Sequence, residues 1–99
     1  VTVRVVQSAT FDADVRRVAD WYLREAGVDV ARRFAENLAA AISVLEAFPR
    51  LHPHSMRVDA RRVRINRFPY LIWYRVRADV VTLYALSHVR RGDPASFLP

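Results

Sequence analysis

Arg61-Arg62-Val63-Arg64-Ile65-Asn66-Arg67-Phe68-Pro69-Tyr70-Leu71-Ile72-Trp73-Tyr74 decides the fold. Val63 and Ile65 alternate with Arg62 and Arg64, the period-two pattern of a strand with one buried face. Pro69 fixes φ and offers no N–H to a ladder, so Arg67-Phe68-Pro69 reads as a turn. Tyr70 to Val76 is aromatic and branched, as sheet centres are. Alternation places Tyr70, Ile72, Tyr74 and Val76 on one face and Leu71, Trp73, Arg75 and Arg77 on the other. The second face is mixed, which makes Trp73 the candidate for an exposed contact.

On the C-terminal side, Arg77-Ala78-Asp79 is a turn and Val80 to His88 a third strand, in which Val81, Leu83 and Ala85 alternate with Thr82, Tyr84 and Leu86. Arg90-Arg91-Gly92-Asp93-Pro94 ends it, and Ala95 to Pro99 is a tail. On the N-terminal side, Leu51 to Asp59 is a loop. Before it, Ala31, Phe34, Leu38, Ile42 or Ala41, Leu45 and Phe48 form a helical stripe of about five turns at 3.6 residues each, stopped by Pro49 and capped by Asp29. Phe11, Val15, Val18 and Tyr22 form an earlier helical face, so a helix is expected from about Asp12 to Ala26, capped by Ser8 or Thr10 and stopped at Gly27. Val1 to Gln7 reads as a first strand. The order is β-α-α-β-β-β, an α+β domain over residues 1–99. Its helical hairpin packs on a twisted antiparallel sheet of about four strands.

The chain has 99 residues, 53% of them hydrophobic, and no cysteine. That length allows one core, and the composition excludes disulfides and thiolate metal sites. No apolar run reaches the roughly 20 residues that cross a bilayer, nor is there a signal-peptide pattern; a cytoplasmic domain with no membrane partner is the expectation. All sixteen basic side chains are arginine. Between Arg50 and Arg77 stand eight arginines against Asp59, a local charge of +7; the remainder, eight arginines against nine acids, carries −1. A patch of this kind favours nucleic acid or an acidic polypeptide.

Motifs for chemistry are few. His52-Pro53-His54 has only Asp59 nearby as a further ligand, too few for a metal site, so neither metal nor cofactor is expected. No phosphate-binding Gly-rich loop, nucleophile elbow or His-Glu-x-x-His occurs. Tyr70, Trp73, Tyr74 and Tyr84 are candidates for stacking on bases, weighed against a place in the core. His88, at the end of the last strand beside Arg90 and Arg91, can act as acid or base, or close the strand by hydrogen bonding to backbone.

Three segments in order carry a resemblance: Trp21-Tyr22, Gly27 and Leu45-x-x-Phe48-Pro49 in the helices; Val63-x-Ile65-x-x-Phe68-Pro69-Tyr70-x-Ile72-x-Tyr74; and the exit His88-Val-Arg90-Arg91-Gly-Asp93-Pro94. The chain resembles the ParE/RelE superfamily of toxins from type II toxin–antitoxin modules, closest to its ParE, plasmid-stabilisation branch. The resemblance implies an acidic cognate antitoxin that wraps the hydrophobic and basic surface in a hetero-oligomer.

It also implies two modes of action. ParE-type members bind DNA gyrase and trap it on cleaved DNA. RelE-type members cut mRNA on the ribosome without a metal, basic side chains stabilising charge on the attacked phosphate. For the second mode, Arg62, Arg64, His88 and Arg90 or Arg91 match by position. However, Leu71 stands where the third-strand arginine is expected, and Phe97, without a hydroxyl, lies near the place of a tyrosine. The resemblance therefore favours gyrase inhibition over an enzyme. Candidate contacts for target or antitoxin are Arg61, Arg62, Arg64, Arg67, Trp73, Arg75, His88, Arg90, Arg91 and Phe97. A double-stranded RNA-binding module, α-β-β-β-α with a basic second helix, fits the order poorly.

Overall fold

Ser8 ends the first strand and starts the first helix, and much of the architecture follows from that abrupt change. In the computed structural model, which describes residues 3–99, β1 runs Arg4–Gln7 and α1 runs Ala9–Ala26. Val1 and Thr2 of the expected first strand lie outside the described residues. The Ser8 hydroxyl accepts from the Phe11 N–H at 3.0 Å, so Ser8 rather than Thr10 is the cap and the helix begins three residues before Asp12. Gly27, at φ +92°, ends α1 and leads directly into α2, Val28–Ala47. A side chain would strain that left-handed backbone. Asp29 does not cap α2; it sits in the first turn and pairs with Arg32 at 2.9 Å.

The expected loop at 51–59 contains a two-residue strand, β2 (His54–Ser55), followed by β3 (Ala60–Arg64), β4 (Tyr70–Arg77) and β5 (Val80–His88). The sheet thus has five strands rather than about four, in the order β1-β5-β4-β3-β2. β2 through β5 pair antiparallel, while β1 lies parallel to β5. The helical hairpin is the crossover that makes this parallel pairing possible.

Both helices lie on one face of the sheet. Phe11 and Val18 of α1 and Phe34, Leu38, Ala41 and Leu45 of α2 bury their side chains against Ile65, Ile72, Tyr74, Val81, Leu83 and Leu86. Phe48, expected to complete the α2 stripe, is instead 55% exposed, because α2 ends at Ala47. The Phe68-Pro69 turn is pinned between the helices: the Phe68 ring stands edge-on to Tyr22 at 5.2 Å and to Phe34 at 5.4 Å. Such contacts add about 0.5–1.5 kcal/mol each beyond area burial. Tyr74 donates its hydroxyl to the Pro49 carbonyl at 2.8 Å, tying the end of α2 to mid-sheet, and burial pushes its pKa up to about 12.

One irregularity sorts the residues of β5. Trp73 pairs with Ala85 but Tyr74 pairs with Leu83, which leaves Tyr84 as an extra residue. A bulge of one residue reverses the alternation beyond it. Leu86 therefore joins Val81 and Leu83 under the helices, and Ala85 moves to the opposite face beside Trp73, contrary to simple alternation.

β1 stops opposite Leu83, so the outer edge of β5 beyond that point lacks a strand partner. Side chains of α1 take its place. The Ser8 hydroxyl donates to Tyr84 O at 3.3 Å, and the buried Asp14 carboxylate accepts from the Leu86 N–H at 3.0 Å and from Arg17 at 3.0 Å. Among the described residues no helix is long and apolar enough to cross a membrane.

Replacing Asp14 with Ala orphans a buried backbone donor, a loss of about 1–3 kcal/mol. Urea unfolding of Asp14→Ala is expected to show a shift of that size. Arg17→Ala, which removes a largely exposed partner, is expected to shift stability by under about 1 kcal/mol.

Candidate functional site

Most of the predicted site residues divide between two surfaces, while Arg67 lies apart, in the turn beside Val30, Arg33 and Asn37 of α2. The first is the face of the sheet turned from the helices. Arg62 and Arg64 of β3 stand opposite Trp73 and Leu71 of β4 there, because Val63 and Ile65 take the helix side. Trp73 is not an exposed contact: only 5% of it is accessible. It forms a second small core with Ala60 and Ala85, covered by Val58, Leu71, Phe97 and Leu98. The alternation placed Trp73 on the correct face, but a second cover, the tail, was not visible in it. Its indole N–H donates to the Ser87 hydroxyl at 2.9 Å, and the Phe97 ring lies edge-on at 6.1 Å.

The tail that covers Trp73 is fastened by charges. Asp93 accepts from the Ala95 N–H, opening a 3₁₀ turn over Pro94–Ser96, and pairs with Arg57. These two bonds, the backbone one first, hold the Asp93 carboxyl below its ordinary value. Arg75 donates to Val58 O, Asp59 O and Pro99 O, all at 2.8–2.9 Å, and stacks on Tyr84 at 5.0 Å. Arg91 stacks on Phe97 at 4.3 Å.

Much of the basic hairpin is likewise engaged within the chain. Arg61 donates to the Arg50 and His52 carbonyls, and Arg50 to Ala78 O. Asp59 pairs with His54 at 2.9 Å and Arg77 at 2.5 Å, which lowers its pKa through hydrogen bonds first from His54 and then from Arg77. Arg61 and Arg75 thus tie neighbouring loops to the sheet. Arg62, over the Trp73 ring at 5.9 Å, and Arg64 and Arg67 have no polar partner among the described residues.

The second surface lies between α1 and the ends of β4 and β5. His88 pairs with Tyr70 in register, so its ring is on the helix side, 5.4 Å from the Tyr70 ring. Its Nδ1 accepts from the Arg90 N–H at 3.1 Å, closing the strand end. Two adjoining concavities open there. One, about 620 Å³, is bounded by Asp14, Arg17, Tyr70, His88, Arg90 and Arg91. The other, about 400 Å³, adds Trp21, Tyr22 and Pro69. Arg17 and Trp21 were not read as site residues, and Tyr70 was read only as a candidate for stacking on bases, weighed against a place in the core. The available signal was Arg17 and Trp21 four apart on one helix face, and Asp14 interrupting the Phe11–Val18 stripe.

His88 and the Arg62–Arg64 pair consequently project from opposite faces of the sheet. No group of three or more metal-ligating side chains occurs among the described residues.

A helical hairpin on a mostly antiparallel sheet with a His-x-Arg-Arg exit makes this a small basic α+β domain. The family model of the ParE toxin of type II toxin–antitoxin system, parDE, matches residues 5–92, and the chain belongs to that family. Among solved structures, the chromosomal ParDE toxin–antitoxin system from P. aeruginosa is similar, with a TM-score of 0.77 at 15% identity over 88% of this chain and 96% of that one. No curated protein sequence matches.

Because the Asp59 and Asp93 pKa values are lowered in the folded chain, the stability from these clasps is full above the ordinary carboxylate value of 3.8. It is lost as pH falls through the depressed values. Acrylamide quenching of Trp73 is expected to rise in that acid range. Asp93→Ala is expected to raise it already at neutral pH.

Proposed function

We propose that this chain is the toxin of a toxin–antitoxin pair that acts in the cytoplasm by binding DNA gyrase and is neutralised by an acidic antitoxin. The observation that carries this reading is the separation of His88 from Arg62 and Arg64 by the sheet itself. Charge stabilisation on an attacked phosphate requires donors within about 3 Å of the developing oxyanion, and groups on opposite faces do not converge on one phosphorus. Leu71, where a nuclease of the superfamily has a cation, contributes an apolar side chain to the tail-covered cluster. Phe97 has no hydroxyl and packs on Trp73.

An antitoxin partner is supported by membership of a family defined by toxin–antitoxin pairs and by the likeness to the P. aeruginosa ParDE system. An acidic partner suits the chain's net charge of +6. Arg62, Arg64 and Arg67 are the hairpin cations left for such contacts, together with Arg90.

Purified gyrase is expected to lose supercoiling activity and accumulate cleaved DNA with this protein, while programmed ribosomes retain intact message in the same preparation. Message cleavage that disappears in Arg62→Ala/Arg64→Ala would identify a ribosome-dependent nuclease and refute the gyrase reading.

A further inference from the structure

The groove between α1 and the ends of β4 and β5 has a chemistry of its own. Three of its four charged side chains are arginines, against the single carboxylate of Asp14. Because Nδ1 of His88 accepts from the Arg90 N–H, the proton of the neutral ring is on Nε2. That Nε2–H, the Tyr70 hydroxyl and the Arg90 guanidinium have no hydrogen-bond partner among the described residues, and the three residues line the 620 Å³ space. Arg17 and Arg91 border it too. The one acceptor side chain of opposite charge, Asp14, is committed to Leu86 N–H and Arg17.

Next to this cationic end lies the 400 Å³ space, whose walls are rings: Trp21, Tyr22, Tyr70, His88 and Pro69, with Val18 as the aliphatic member. Trp21 is 49% exposed there. Its ring is edge-on to Tyr22 at 5.2 Å, leaving much of the indole accessible. Nothing in the core requires a tryptophan at that position.

A ligand for this groove supplies hydrogen-bond acceptors with negative charge and a flat apolar ring within a nucleotide's length of them. An acidic polypeptide meets the charge but brings no flat ring at a regular interval beside it. A phosphodiester strand brings acceptors and rings in alternation. We propose that this groove binds single-stranded nucleic acid, with a base against Trp21 and Tyr70 and adjacent phosphates on Arg17, Arg90 and Arg91. The inference goes beyond gyrase binding and holds whether or not gyrase is the target.

The two tryptophans make the test specific, since Trp73 is buried on the opposite face. A fluorescein-labelled oligothymidylate of about 12 nucleotides, a span typical of one stacking site, is titrated with the purified chain. Anisotropy is expected to rise, and Trp21 emission to be quenched by the stacked base. For two or three neutralised phosphates, log K is expected to fall with log salt at a slope of about −1.4 to −2.1. Trp21→Ala is expected to weaken binding on the order of tenfold, and Arg90→Ala/Arg91→Ala to remove about 1.4 from the slope. Arg62→Ala/Arg64→Ala, on the other face, is expected to leave both signals unchanged.

Absence of binding overturns the proposal, as does binding without quenching or binding lost only with Arg62 and Arg64. Equal affinity and equal quenching by oligoglutamate of the same charge overturns it in favour of an acidic polypeptide.

Discussion

Everything in the sheet depends on how the outer edge of β5 is satisfied. β1 pairs with only four residues of β5 before Ser8 turns the chain into a helix. Backbone donors and acceptors left beyond Leu83 need partners, since a buried orphan costs about 1–3 kcal/mol. Ser8 and Asp14 supply them from α1. The hydrogen bonds from these side chains fix the helix against the strand at the point where Tyr84 bulges. Edge, cap and bulge form one arrangement, and it decides which residues of β5 face which way.

Its largest consequence falls on His88. With unbroken alternation His88 shares a face with Thr82 and Tyr84, the face to which Arg62 and Arg64 project. The bulge at Tyr84 moves it across the sheet, to Tyr70 and α1. Residues that appear in sequence as one possible catalytic set become members of two surfaces. One surface is capped by the tail, with Phe97 over Trp73. The other stays open as a groove with Trp21 at its edge.

The fold was largely legible because periodicity reports burial directly. Val63 and Ile65, the Phe34–Leu45 stripe and the Phe68-Pro69 turn all lie where pattern places them. Pattern fails where a side chain replaces a backbone partner, as Asp14 does, or where one extra residue shifts parity, as Tyr84 does. Neither event changes composition. Trp73 shows a related limit: period two separates the faces of a strand but does not say what covers the second face, which here is a segment some twenty residues later in the chain. The parallel pairing of β1 is equally silent in sequence, since Val3 and Val5 alternate the same way in either direction.

The arginines show why charge counting overstates a binding surface. The hairpin's +7 is a sum over formal charges, whereas recognition depends on where guanidinium groups have donors left to give. Arg61 and Arg75 each give donors to carbonyls of neighbouring loops, and Arg57 and Arg77 are held by Asp93 and Asp59. Such hydrogen bonds leave the long-range field nearly intact, so the chain still attracts anions from a distance. They do fix the direction of the groups, and within the hairpin close-range contact is left to Arg62, Arg64 and Arg67. Long-range attraction and short-range fit therefore arise from different arginines of the same chain. A guanidinium with five donors in a fixed fork can serve as a loop clasp in a way an ammonium point charge does poorly. In this domain, with a sheet covered on one side by helices and on the other by a short tail, those clasps fix the loops and the tail in place over the sheet.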